Sequence, residues 1–76
     1  MTFTVYGKDH CPACLQAIRY LEAKGYGYDY KKLGVDYTVE ELKGLFGQQT
    51  NSVPQIMAHG DEDKPIGGLN QLARFI

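Results

Sequence analysis

The sequence predicts a small α/β chain whose elements run β-α-β-α-β-β-α. Three observations carry this. A β-branched and aromatic run at the start passes into an apolar-periodic run through Cys11-Pro12-Ala13-Cys14. A Thr-x-x-Glu capping box at Thr38 to Glu41 opens a second helical stripe. Two short extended segments after Val53-Pro54 then lead into a last apolar-periodic segment that ends at Ile76.

Taken in order, Thr2 to Tyr6 alternates Phe3 and Val5 with Thr2, Thr4 and Tyr6, the period of a first strand. Gly7-Lys8-Asp9-His10 is a loop that delivers Cys11. From Pro12 to about Lys24, the positions Cys14, Ala17, Ile18 and Leu21 follow i, i+3, i+4, i+7, and Gly25 supplies the stop. Tyr26, Tyr28 and Tyr30 alternate with Gly27 and Asp29 as a second strand, parallel to the first because a helix lies between them. The tyrosines are expected to form a half-buried edge, with Tyr6 alone bordering the site. Val39, Leu42, Leu45 and Phe46 form the second helical stripe, closed by Gly47. Gln48 to Ser52 is a polar loop and Gln55 to Ala58 a short strand. His59 to Lys64 is a charged hairpin loop, and Pro65-Ile66-Gly67 the returning strand, where proline confines it to an edge or a strand start. Leu69, Leu72, Ala73 and Ile76 mark the last helix.

Composition bounds the function. At 76 residues the chain is expected to be one domain, 1–76, with a small core. Eight Lys and Arg against nine Asp and Glu give a formal charge of −1, which argues against a nucleic-acid binder or an anionic-membrane binder. No stretch approaches the roughly 20 apolar residues of a membrane span. The start lacks the basic and apolar regions of a signal peptide, so a cytoplasmic location is expected. In that compartment two cysteines three apart are there for chemistry rather than as a staple.

That chemistry follows from placement. A Cys-x-x-Cys pair at a strand-to-helix junction is a redox signature, because a helix N-terminus offers unpaired N–H groups and a positive dipole end to a thiolate. Cys11 is expected as the N-cap, with Pro12 at the first helical position, where its missing N–H is not needed. The Cys11 sulfur should accept from the N–H groups of Ala13 and Cys14, and Lys8 adds positive charge nearby. Such thiols ionise in a range of roughly 3.5 to 7.5 rather than about 8.5. Cys14 falls on the apolar stripe, so it is expected to be the more buried partner. Cys11 would therefore attack a substrate disulfide and Cys14 would resolve the mixed disulfide. A zinc set of His10, Cys11, Cys14 and His59 is a permitted ligand combination, but His10 abuts Cys11 and His59 stands alone in a loop, so no metal is expected. Inert core cysteines are the other plain alternative, opposed by the placement of Pro12 and Lys8. A c-type haem site needs His after the second cysteine, and position 15 is Leu.

Lys8-x-x-Cys11-Pro12-x-Cys14, then Ser52-Val53-Pro54-Gln55-Ile56, then Ile66-Gly67-Gly68-Leu69-Asn70-Gln71-Leu72 together resemble the glutaredoxin family, in order and spacing along essentially the whole chain. The resemblance implies a thioredoxin-like fold, a four-stranded mixed β-sheet flanked by three helices, with a cis Pro54 facing the active site. It also implies Cys11 as nucleophile and Cys14 as resolving cysteine. Lys8 would meet the glycine carboxylate of glutathione, and the backbone of Val53, beside Pro54, would pair with its cysteinyl unit. Gly68, Asn70 and Gln71 would hold the γ-glutamyl end, with the Asn70 N–H toward its carboxylate. The sequence departs from the family pattern in three places: Ala13 stands where many members carry Tyr, Thr50 where relatives often place a basic residue, and the pair Asn70-Gln71 lacks the acid that commonly receives the γ-glutamyl amine.

The expected activity is that of a dithiol glutaredoxin, a monomer with no permanently bound cofactor and glutathione as co-substrate. It would reduce protein disulfides or glutathione mixed disulfides, with ribonucleotide reductase as a client by family analogy. Two rival readings stand beside it. One is a redoxin reset by a thioredoxin reductase, although the Trp-Ser-Gly-Phe-Arg-Pro ending of that group is missing. The other is a binding protein in which Cys11 of two subunits and two glutathiones hold an iron–sulfur cluster, opposed by the stiff Pro12 and the competing thiol of Cys14.

Overall fold

The computed structural model describes residues 1–76. The elements are β1 (Thr2–Gly7), α1 (Pro12–Lys24), β2 (Gly27–Lys32), α2 (Val39–Phe46), β3 (Gln55–His59), β4 (Asp63–Gly67) and α3 (Leu69–Phe75). The four strands form one sheet in the order β2-β1-β3-β4. β1 and β2 are parallel, whereas β1–β3 and β3–β4 are antiparallel, so the sheet is mixed. This is the expected order of elements and the expected thioredoxin-like architecture. No helix is long and apolar enough to cross a membrane.

Side-chain alternation along β1 divides the packing between two faces. Phe3 and Val5 join Ala17 and Leu21 of α1, Ile56 and Ala58 of β3, and Leu72 of α3 in one buried cluster. Tyr6 points the other way and packs edge-on against Tyr37, at 5.2 Å between ring centroids, and against Phe46 of α2, at 5.6 Å. Helices α1 and α3 therefore cover one face of the sheet and α2 the other.

Several boundaries differ from the sequence reading, among them the end of β3, which runs to His59 rather than Ala58, and the end of β2 at Lys32. β2 begins at Gly27 rather than Tyr26, because the Tyr26 N–H is taken up in the cap that follows α1. Gly25 takes the left-handed conformation (φ 80°), its N–H donates to the Glu22 carbonyl, and the Tyr26 N–H donates to the Leu21 carbonyl. This double bond pattern closes the helix with an apolar residue just beyond it, and the Tyr26 ring lies edge-on to Phe3. β1 runs one residue further, to Gly7, paired with Lys32. β4 begins at Asp63 rather than Pro65, since His59 pairs with Asp63 across the hairpin and their side chains meet at 2.7 Å. Pro65 lies within this edge strand, where its missing N–H costs no ladder bond. The capping box of α2 is present in both halves: the Glu41 N–H donates to Thr38 Oγ1 and the Thr38 N–H donates to Glu41 Oε1.

Register decides where the three sequence motifs meet. Gly7 ends β1 and feeds the loop to Cys11; Gln55, next after Pro54, pairs with Tyr6; Gly67 pairs with Ile56. All three motifs thus arrive at the same end of the sheet. His59 pairs with Thr2 at the opposite end, five residues along β1 from Gly7, or about 17 Å at the rise of an extended strand.

Candidate active site

The site begins with a turn that only a few residues tolerate. Gly7 ends β1, and a Cβ added there would stand 2.8 Å from two ring carbons of Tyr30, so the close approach of that ring requires glycine. The Gly7 carbonyl accepts from the Leu33 N–H at 2.9 Å and from the Tyr37 hydroxyl at 2.7 Å. The Lys8 carbonyl accepts from the Tyr30 hydroxyl at 3.0 Å. Asp9 pairs with Lys32 at 3.0 Å, and both groups are open enough to solvent that the pair contributes little energy. His10 turns the chain with φ 56°, which delivers Cys11 to the start of α1.

Cys11 is the N-cap of α1 and Pro12 occupies its first turn, as expected. The Cys14 N–H donates to Cys11 Sγ at 3.2 Å. The second expected donor, Ala13, is not among the groups that reach the sulfur: the bond is made by the third residue of the helix, the usual N-cap geometry. The two cysteines form a disulfide, with Cα atoms 5.2 Å apart. Cys14 is fully buried whereas Cys11 retains 8% exposure, so an approaching group meets Cys11 first.

Two cavities flank this turn, and Lys8 lines both. On the α2 side, a groove of about 120 Å³ is bounded by Lys8, Leu33, Val39, Leu42, Asn51, Ser52 and Val53. On the α1 side, a cavity of about 460 Å³ is bounded by Lys8, Asp9, His10, Cys11, Leu15, Ile18, Tyr28 and Tyr30. The bond between Val53 and Pro54 is cis, and Pro54 is buried. A Cβ on Gly68 would lie 3.4 Å from the Pro54 carbonyl oxygen, which places the third motif against the second. Gln71 Oε1 accepts from the Gly68 N–H at 3.0 Å, while Asn70 is exposed. The structure therefore brings Lys8 and Val53 to one groove and sets Gly68, Asn70 and Gln71 beyond Pro54, outside that groove.

The expectation for the tyrosines is corrected. Tyr6 does not border the cysteine cavity, because its ring is taken up between Tyr37 and Phe46 on the α2 face. Tyr28 and Tyr30 border it instead, since their register opposite Phe3 and Val5 turns them to the α1 face. The alternation Tyr26-x-Tyr28-x-Tyr30 carried that signal; what it lacked was the knowledge that α1 leaves this edge open. Of the alternative zinc set weighed above, His10, Cys11 and Cys14 share the turn at the start of α1 and His59 does not join them. His59 lies at the far end of the sheet, between Thr4 Oγ1 and Asp63 Oδ1 at 2.7 Å each. Sequence reasoning also missed Tyr37. It is 4% exposed, and its burial, with Tyr30 and Tyr6 as further causes, pushes its phenol up to about 12.

Comparison with known proteins agrees with this geometry. The glutaredoxin family model matches residues 3–62. The chain is similar to the hybrid peroxiredoxin hyPrx5 of Haemophilus influenzae, 31% identical over 74 residues that cover 97% of this chain but only 29% of that protein. Its fold is similar to reduced and oxidised Escherichia coli glutaredoxin, with TM-scores of 0.77 and 0.79 and identities of 26% and 25%. Each match covers 99% of this chain and 92% of the other. It is also similar in fold to the glutaredoxin-like protein NrdH-redoxin of Escherichia coli, with TM-score 0.65 and 23% identity over 100% and 96% of the two chains. The chain belongs to the glutaredoxin family, and its Cys11–Cys14 pair is that of a redox-active thiol–disulfide oxidoreductase.

Proposed function

We propose that this chain is a monomeric, single-domain dithiol glutaredoxin of the cytoplasm that reduces protein disulfides and glutathione mixed disulfides and is reset by glutathione. The observation that carries this reading is the meeting of the cysteine pair, Val53-Pro54 and Gly67-Gly68 at one end of the sheet. Cys11, as thiolate, attacks one sulfur of a client disulfide; a new S–S bond forms and the other client sulfur leaves as thiolate. Cys14 then attacks Cys11, the second client sulfur leaves, and the Cys11–Cys14 disulfide closes with two electrons passed to the client. One glutathione opens that disulfide as a mixed disulfide on Cys11, and a second removes it as glutathione disulfide. Lys8 takes the glycine carboxylate, the Val53 backbone beside Pro54 pairs with the cysteinyl unit, and Gly68, Asn70 and Gln71 take the γ-glutamyl end. The shared groove of Lys8 and Val53 supports the first two contacts.

Client disulfides include, on family analogy, that of a ribonucleotide reductase. The similarity of nearly the whole chain to 29% of a hybrid peroxiredoxin adds the oxidised thiols of a peroxiredoxin as a second client class. A thioredoxin reductase is the alternative electron donor. That reading is favoured by the neutral residues Ala13, Thr50, Asn70 and Gln71, and by the engagement of Gln71 Oε1 with Gly68.

NADPH consumption coupled to reduction of a small disulfide tests this, with electrons supplied in parallel by glutathione plus glutathione reductase or by thioredoxin reductase. Turnover with glutathione that is abolished in Cys11→Ser is expected, and Cys14→Ser should accumulate the mixed disulfide. Turnover with thioredoxin reductase alone would replace the donor, and equal behaviour of the two serine variants would overturn the unequal roles.

A further inference from the structure

The 460 Å³ cavity bears on which clients the site accepts, an inference that rests on the reading of Cys11 as the attacking thiol. It opens where α1 leaves the edge strand β2 uncovered. Leu15 and Ile18 form one wall, Tyr28 and Tyr30 the other, and Cys11 lies at its border. Leu15 is 54% exposed, a large apolar side chain held in solvent next to the reactive pair. On the two walls the polar groups are already engaged, the Tyr28 hydroxyl with Glu22 at 2.9 Å and the Tyr30 hydroxyl with the Lys8 carbonyl, and at the rim Asp9 pairs with Lys32 while Lys8 and His10 keep their side chains for other partners. What the walls themselves offer a ligand is hydrocarbon and aromatic surface, from Leu15, Ile18, Tyr28 and Tyr30.

Glutathione has nothing to fill such a space, being charged at both ends with no apolar side chain beyond its cysteine. A polypeptide client does. Disulfide exchange fixes the client sulfur on Cys11, and residues along the client chain are about 3.8 Å apart, so a side chain one or two positions from the client cysteine comes within reach of the cavity. We propose that the cavity between Leu15 and Ile18 of α1 and Tyr28 and Tyr30 of β2 is a side-chain pocket that selects protein clients carrying an aliphatic or aromatic residue within two positions of the disulfide cysteine. The exchange is the one described above and needs no further reactant. The Val53 groove lies on the opposite face of the sheet, so the two sites serve different partners at one sulfur.

The test is single-turnover reduction of disulfide peptides by protein that has been pre-reduced with dithiothreitol and desalted, so no electron donor enters the result. In the peptides a leucine is moved through the two positions on either side of one cysteine and compared with an all-serine parent. The expected result is that at least one leucine peptide reacts about tenfold faster than the parent, the scale of partly burying one such side chain. In Leu15→Ser the ratio should fall toward one, and in Leu15→Met it should be retained. Equal rates for all peptides, or a ratio unchanged in Leu15→Ser, would overturn the pocket while leaving Cys11 as the attacking thiol. Failure to reduce any peptide would overturn the underlying reading of Cys11, and the pocket with it.

Discussion

The two faces of the sheet are held together by different chemistry. On the α1 and α3 face, Phe3, Val5, Ala17, Leu21, Ile56, Ala58 and Leu72 make a cluster with no polar side chain in it. On the α2 face, Tyr6, Tyr37 and Phe46 meet ring edge to ring face, and the Tyr37 hydroxyl reaches the carbonyl of Gly7. The first face is non-directional burial, and any well-filled apolar set of the same volume would serve it. The second is directional, and what it orients is the strand end that leads to Cys11. Stability is thus concentrated on one side of the sheet, while the strand end that feeds Cys11 is held from both, by Tyr37 on the α2 face and by Tyr30 on the α1 face.

The sharpest way to break this comparison is to remove material from the aliphatic face. Leu21 is fully buried at the centre of that cluster. Leu21→Ala is expected to cost about 2–5 kcal/mol, a large part of the whole stability of so small a chain. Chemical denaturation reads the loss directly. If the variant still folds, its rate of disulfide attack per folded molecule should equal that of the wild type, because Leu21 lies about two turns of α1 beyond Cys14, away from the loop from Gly7 to Cys11. A proportionate loss of rate would show that the two faces are not separable.

Gly7→Ala probes the strand end that leads to Cys11. Its methyl group would meet ring carbons of Tyr30 at 2.8 Å, and that ring is held by its hydroxyl on Lys8 and by packing against the core. Overpacking of this kind costs about 1–3 kcal/mol. Unlike Leu21→Ala, it should also slow attack by Cys11, since relief of the contact moves the strand end that positions the cysteine turn. A thiol-reactivity assay beside the denaturation curve distinguishes the two effects. Thr38→Ala, which removes the cap of α2, is expected to cost about 1 kcal/mol with no change in thiol reactivity.

How much of this was legible in the sequence follows the same division. The aliphatic face is periodic: Cys14, Ala17 and Leu21 announce the inner side of α1, and Phe3 and Val5 the inner side of β1. Local signals also sufficed for the capping box at Thr38 and for proline behind an N-cap at Cys11. The α2 face was not legible, because the bond from Tyr37 to Gly7 spans thirty residues and depends on register between β1 and β2. Tyr6 illustrates the failure: its position next to the active loop suggested a cleft residue, whereas strand alternation turns it to the opposite face. Tyr28 and Tyr30 are the half-buried edge that the alternation predicted, and only their place on the cysteine cavity was missed, because the helix that leaves them open lies elsewhere in the chain. The cysteine pair itself was read from four consecutive residues, which is why its place in the structure needed only one correction, the loss of the Ala13 donor.

The smallest effect at neutral pH belongs to Tyr37→Phe, and it is the most diagnostic of the directional face. The Gly7 carbonyl keeps its bond from Leu33 when the hydroxyl is removed, so the expected cost is at the low end of about 0.5–1.5 kcal/mol. The pH dependence is larger. The Tyr37 phenol is raised from 10.0 to about 12 in the folded chain, chiefly because burial disfavours the phenolate. Below pH 10 neither state has lost the proton and this group adds no slope. Between 10 and about 12 the unfolded chain gives up its proton while the folded chain keeps it, so stability falls as pH rises, by at most about 1.4 kcal/mol per unit. Burial also raises Tyr30, and the bond to Glu22 raises Tyr28, so both add to the fall in the same direction. Denaturation curves taken between pH 9 and 12 should therefore be steeper in pH for the wild type than for Tyr37→Phe. Equal slopes would mean that the Tyr37 hydroxyl reaches water in solution, and that the strand end feeding Cys11 is held by Leu33 and Tyr30 without it.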